Sequence, residues 1–183
     1  MQPFIQHSGR KSSGPKKELT PLCKTGSLTA MPQLSFHSPL GALTLSEEEG
    51  QIVSLDEGWG RDQSETPLLL KVRDMMQDYF DGEAVNFQSI PLMLDGTAYQ
   101  ERVWAALRTI PHGQTRTYGE LAETVGSSPQ SIGQAVARNP LLILIPCHRV
   151  LPAHGRGYGD YSGFEGTETK AFLLELEREA SAP

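Results

Sequence analysis

Apolar residues recur at two spacings along this chain, and the change from one to the other marks its elements. Within "LSFHSPLGALTLSEEEGQIVSLDEG", short apolar runs fall at 34–37, 40–45 and 52–55, separated by the turn-forming strings "SPLG" and "EEEG". Runs of strand length between such turns predict a small antiparallel sheet. The spacing then opens to that of a helix: "TPLLLKVRDMMQDYFDG" places Leu69, Val72, Met76 and Phe80 on one stripe. Thr66 is the expected cap, Pro67 suits the first helical position, and Asp81-Gly82 is the stop. One helix should therefore pack on the sheet.

After a loop through "NFQSIPLMLDG", helical spacing returns three times. "TAYQERVWAALRTIPHG" opens with Thr97 and Gln100 at capping-box separation and turns Tyr99, Val103, Trp104 and Leu107 to one face before Pro111 and Gly113 end it. Thr117 and Glu120 repeat that separation ahead of Leu121, Ala122 and Val125, with Gly126 as the stop. Ser128 and Pro129 start a further helix that buries Ile132, Ala135 and Val136 and closes at Asn139-Pro140. Two short helices joined by a tight glycine-containing turn predict a helix-turn-helix. "LLILI", fully apolar and of strand length, reads as a buried strand ended by Pro146. The loop "HGRGYGDYSGFEG" has five glycines and leaves little side chain between its backbone and a ligand. A last helix, "TETKAFLLELERE", presents Phe172, Leu173, Leu176 and the flanking Glu177.

The first thirty residues, rich in Ser, Gly, Pro and Lys, follow neither spacing and are expected to form a disordered extension. The expected division is thus 1–30 extension, 31–92 α/β part, and 93–183 mainly helical part. No apolar stretch approaches the ~20 residues of a membrane span, and none resembles a secretory signal, so a cytoplasmic monomer is expected. The net charge of −6 is unevenly spread: +4 over 1–30, −9 over 31–99, +3 over 100–156 and −4 over 157–183. The positive stretch keeps a nucleic-acid partner open, although uneven surface charge alone accounts for it equally well. Cys23 and Cys147 sit in unlike settings without cysteine-rich spacing, which argues against a structural disulfide or a thiolate zinc site.

Chemistry concentrates in "LIPCHRVLP". A thiol with a pKa near 8.5 is only a few per cent ionised at neutral pH, so a nucleophilic Cys147 needs a base or positive surroundings. His148 is adjacent, but neighbours in an extended chain point opposite ways, so contact requires a turn at Pro146 or a bridging water. A third group should orient the imidazole, with Glu175 and Glu177 both eligible. A metal site of Cys147, His148 and His154 lacks further ligands and a zinc spacing. Taken alone, the dipeptide also describes a small buried hydrophobe before a histidine.

"IPCHRV" resembles the active-site signature of the O6-alkylguanine-DNA alkyltransferases, and the similarity continues through "VWAALRTIPHGQTRTYGELA", "IGQAVARNP", "DYSG" and "KAFLLELE". It covers about residues 97–178, with 31–80 similar to the family's N-terminal domain. The resemblance implies an α/β fold: a small RNase H-like antiparallel sheet with a helix, then a mainly helical, winged-helix-like DNA-binding domain. It implies that Cys147, ionised at the rim of a cavity, accepts the alkyl group, that His148 deprotonates it through a water, and that Glu177 holds His148. Asn139 would tie loop backbone together and Tyr118 would donate a proton to the departing guanine. Backbone carbonyls of Cys147 and Val150 are expected on the guanine amino group, and Tyr161, Ser162 and Gly163 in the pocket wall.

The alkylated oxygen lies inside the base stack, so the chemistry requires a flipped base. In the family the helix over 129–138 enters the minor groove, where Ser131, Gly133 and Ala135 would permit close approach and Arg138 would hold phosphate. Three features depart from the usual pattern. Gln130 stands where an arginine commonly replaces the flipped base, the turn 126–130 is about two residues short, and the loop after His154 is long. The implied activity is one irreversible transfer, without cofactor or metal, from O6-alkylguanine (O4-alkylthymine being a related lesion) in double-stranded DNA to Cys147. Two alternatives stand beside it. One is a damage-binding, alkyltransferase-like protein, a kind that generally lacks the cysteine; the other is a cysteine hydrolase using Cys147 and His148.

Overall fold

Three strands, β1 (Gln33–Ser38), β2 (Gly41–Glu48) and β3 (Gln51–Glu57), pair antiparallel in that order in the computed structural model. The structure describes residues 31–153 and 157–181, so the expectations for 1–30, Cys23 and His154 lie outside the described residues. Register sets Leu34 opposite Leu45, Phe36 opposite Leu43, and Leu45 opposite Leu55. That alternation gives the sheet one apolar face. Each strand continues past the end of its apolar run, because ladder hydrogen bonds extend through the polar flanks.

Helix α1 (Pro67–Phe80) covers β1 and β2. Thr66 caps it by accepting from the Leu69 amide, with Pro67 at the first position. Its buried stripe is Leu69, Val72, Met76 and Tyr79, so the expected Phe80 is displaced by the residue before it. Spacings of three, four and three keep Tyr79 on the core side, whereas Phe80 is rotated to a half-buried position.

A single-turn 3₁₀ segment, Phe87–Ser89, leads to the second part. Arg108 Nη2 fastens it, donating to the carbonyls of Phe87, Gln88 and Ile90 at 3.2, 2.8 and 2.9 Å. Helices α2 (Ala98–Arg108) and α3 (Tyr118–Val125) both open with the expected capping boxes. Gly126, at φ 70°, ends α3, and Ser128 caps α4 (Pro129–Val136), which completes the helix-turn-helix. Trp104 is buried between α2 and α4 and donates its indole N–H to the Ala135 carbonyl at 2.9 Å. A large apolar side chain buried in this way contributes roughly 1.5–3 kcal/mol.

"LLILI" is not a strand. It folds as a tight turn in which the Ile145 amide reaches the Leu141 carbonyl at 2.9 Å and Ile143 adopts φ 71°. Four of its five residues are fully buried, and that burial is what the apolar run reports; periodicity does not separate a buried turn from a buried strand. A β-branched residue in the left-handed region costs of order 1–2 kcal/mol. The turn delivers Pro146 and a short 3₁₀ turn, Cys147–Arg149, after which β5 (Val150–Leu151) pairs parallel with β4 (Arg116–Thr117).

Helix α5 (Thr167–Ala180) buries Thr169, Lys170, Leu173 and Glu177. Phe172, expected inside, is 39% exposed, and Leu176 is half-buried. The helix is rotated toward its polar residues because Lys170 and Glu177 both find buried partners, described next.

Candidate active site

The Cys147–Arg149 turn places a thiol, an imidazole and a guanidinium in the interior, at 1%, 0% and 5% exposure. Asn139 secures the approach to it. Its Nδ2 donates to the Ile145 carbonyl at 2.8 Å and to Cys147 Sγ at 3.1 Å, while its Oδ1 accepts from the Leu141 amide. One side-chain amide thereby holds both the turn and the sulfur.

Of the two candidate acids, Glu175 is exposed and pairs with Arg178, whereas Glu177 is buried against the turn. His148 Nε2 lies 2.7 Å from Glu177 Oε1. Arg149 donates Nε to both carboxylate oxygens, at 3.1 and 2.9 Å, and Nη2 to Oε1 at 2.9 Å, while its Nη1 reaches the Ile110 carbonyl. The Gly113 amide donates to Oε2 at 3.0 Å and the Tyr79 hydroxyl to Oε1 at 2.9 Å. Gly113 has to be glycine: φ is 72°, and a Cβ there would lie 2.1 Å from Ser181 Oγ.

Burial alone would raise the Glu177 pKa, but hydrogen bonds from His148 and Arg149, with the charge of the Arg149 guanidinium, outweigh it and hold the carboxyl far below the usual range. Burial lowers the His148 pKa, against the opposing pull of Glu177, and keeps the ring neutral. A carboxylate only accepts, so Nε2 carries the imidazole proton and Nδ1 presents its lone pair. That Nδ1 is buried and makes no hydrogen bond to a described residue. Burial pushes the Cys147 thiol up, partly countered by the Asn139 N–H and the Lys170 charge. The resting sulfur is therefore a thiol and not the thiolate expected from the sequence, because low-dielectric surroundings penalise the anion more than these neighbours favour it.

Cys147 opens on a cleft of about 550 Å³. Tyr118 stands on one wall; burial raises its pKa, as does the negative charge that Cys147 and Asp160 can carry. Tyr161 and Ser162 also line the cleft, and the Tyr161 hydroxyl is buried toward the sulfur. Gly163 does not line it: it backs onto Leu142, whose Cδ1 would meet a Cβ at 1.9 Å. Val150 is likewise off the wall, fully buried, its carbonyl accepting from Lys170 Nζ at 2.7 Å.

Helix α4 divides the remaining expectations. Gln130 and Gly133 face the cleft, whereas Ser131 and Arg138 border a separate groove with Tyr99 and Gln134. Ala135, expected to allow close approach of a duplex, is 1% exposed and packs under Trp104, so its small size serves the α2–α4 contact instead. The exposed small residue on the cleft side is Ala137.

Three buried residues of the site, Arg149, Lys170 and Tyr79, escaped the sequence reading. Lys170 lies 5.9 Å from the Tyr118 ring centroid, and burial lowers its pKa. Tyr79 could have been found by carrying the α1 stripe in strict helical steps. Among the described residues no cluster of His, Cys, Asp or Glu is placed to hold a metal ion, and no helix is long and apolar enough to cross a membrane.

Fold and site together define a two-part α/β protein in which a helix-turn-helix borders a buried cysteine-histidine-glutamate array. Two family models match it: 6-O-methylguanine DNA methyltransferase, ribonuclease-like domain, over 34–94, and 6-O-methylguanine DNA methyltransferase, DNA binding domain, over 98–179. The constitutive methylated-DNA-protein-cysteine methyltransferase of Bacillus subtilis (strain 168) is 42% identical over 154 residues, covering 77% of this chain and 92% of that protein. The Haemophilus influenzae methylated-DNA-protein-cysteine methyltransferase is 38% identical over 162 residues, covering 82% and 88%. The crystal structure of Mycobacterium tuberculosis OGT in complex with DNA matches with a TM-score of 0.69 at 35% identity, over 81% of this chain and 93% of that one. The chain belongs to the 6-O-methylguanine DNA methyltransferase family.

Proposed function

We propose that this protein repairs double-stranded DNA by moving an alkyl group, methyl above all, from O6 of a flipped guanine to Cys147. The observation that carries this reading is the Cys147 sulfur itself, held by Asn139 at 3.1 Å and opening on a cleft whose other wall is helix α4. The site supplies an acceptor, a neutral base and an acid without any cofactor. The thiol proton passes through a water to His148 Nδ1, and Glu177 stabilises the imidazolium. As the S–C bond forms, the C–O6 bond breaks and electron density moves onto the purine. Tyr118 donates its phenolic proton to the departing guanine, and solvent returns to it the proton that His148 took from the thiol. The thioether has no leaving group that water can displace, so each molecule acts once.

Gln130 and Gly133 would face the minor groove, with Gln130 filling the space of the everted base. Ser131 and Arg138, bordering the neighbouring groove, suit phosphate contacts. The guanine amino group would be taken by the Cys147 carbonyl, whereas that of Val150, off the cleft wall, is held by Lys170. A reduced thiol of this kind belongs in the cytoplasm, and nothing in the chemistry needs a second copy of the chain.

Incubation with methylated duplex, followed by peptide mass spectrometry, tests the reading. One added methyl on the Cys147 peptide, absent in Cys147→Ala, is expected. An unmodified sulfur in the presence of excess lesion, or repeated turnover on an ester, overturns it.

A further inference from the structure

The geometry points to Tyr79 as a positioning residue for the transfer, its hydroxyl reaching from the sheet-bearing part of the chain to hold the carboxylate that orients His148. This rests on the function proposed above. Tyr79 lies in the last turn of α1, is fully buried, and donates to Glu177 Oε1 at 2.9 Å. Its oxygen is also 3.5 Å from His148 Nε2. Three rings fix it in place: Phe80, Phe87 and His112, with centroids at 5.4, 5.6 and 5.7 Å.

Oε1 consequently accepts from three side chains, Tyr79, His148 and Arg149, the last through both Nε and Nη2. Each takes a share of that oxygen's basicity. With the phenol removed, Oε1 binds the His148 N–H more strongly and favours the imidazolium before any thiol proton has moved, which disables the base. The phenol moderates the carboxylate without adding charge, since burial first, and Glu177 next, keep it protonated. The other titratable or charged groups around the pair are Arg149 beside His148, Lys170 on α5, His112 after α2, and Cys147 and Tyr161 toward the cleft. Replacing Tyr79 by Phe alters none of them.

The test is the single-turnover methyl-transfer rate of the full chain as a function of pH. Tyr79→Phe keeps the ring packing, and its acid limb is expected to move to higher pH by about half to one unit. At the acid end the rate should be roughly 3- to 10-fold below wild type, and at the alkaline end within about 2-fold. Phe87→Leu, which loosens the same ring cluster without touching the hydroxyl, should leave the limb in place. Superimposed profiles, a loss equal at every pH, or the same displacement in Phe87→Leu overturns the assignment. A measurement needing no variant is the pair of His148 ring-nitrogen resonances in the wild-type protein. Nε2 protonated with Nδ1 bare supports it, and the opposite tautomer overturns it, because His148 and Tyr79 could not then both donate to Oε1. Failure of the wild-type protein to take up methyl sinks the proposed function instead, whatever these resonances show.

Discussion

Arg149 and Glu177 form a buried, forked ion pair, Nε reaching both carboxylate oxygens and Nη2 reaching one at 2.9 Å. Removing the guanidinium leaves the carboxylate buried without its counter-ion, with only the neutral donors of His148, Tyr79 and Gly113. Arg149→Met is therefore expected to lower stability by about 3–5 kcal/mol in chemical denaturation. Arg178→Ala, at the exposed pair with Glu175, should cost no more than about 1 kcal/mol in the same experiment.

Acid should unfold this protein earlier than a comparable one with an exposed histidine. The folded His148 pKa lies below its unfolded value near 6.5, so below about pH 6.5 the unfolded chain binds more protons and stability falls with pH. Glu177, depressed in the folded state, adds a loss of the same sign once pH passes below about 4.3, its unfolded value. Thermal melts between about pH 7.5 and 5.5 should show Tm falling for the wild type, and more gently for His148→Gln.

Asn139→Ala removes the donor that favours the ionised sulfur. Hydrogen bonds to charged groups are worth about 1.5–3 kcal/mol, so single-turnover transfer near neutral pH should slow by about ten- to a hundredfold. Ultraviolet titration of the thiolate should show the Cys147 pKa displaced further upward.

Gln130 faces the cleft without a charge of its own. Gln130→Arg should bind alkylated duplex as tightly as wild type or more so in a fluorescence titration; a large loss would refute the placement of α4 against the lesion.

Elements defined by local chemistry were legible from residues alone. The capping boxes at Thr97 and Thr117, the Ser128 cap and the Gly126 stop all depend on neighbours within four positions, and all form. Residues whose role depends on distant partners were not. "LLILI" signals burial but not its turn, which Asn139 imposes from outside the run through the Leu141 amide and Ile145 carbonyl. Phe172 loses its inward place to Lys170 and Glu177, whose partners Val150, His148 and Arg149 lie some twenty to thirty positions away. Cys147, His148 and Glu177 could be named from the resemblance; the residues alone left Glu175 and Glu177 both eligible, and only the fold shows that Glu177 is the buried one. The protonated state of the resting sulfur follows from its enclosure, which no string of letters records.

Arg108, stapling three carbonyls of the linking segment, has a mechanical consequence. Ile52 fastens Pro91 and Met93 of the same segment to β3, and a tie between the halves runs from the Phe164 amide to Glu57. With the two halves tied at these points, the swing that brings lesion and acceptor together falls to the nucleotide, so duplex regions that open readily should be mended soonest.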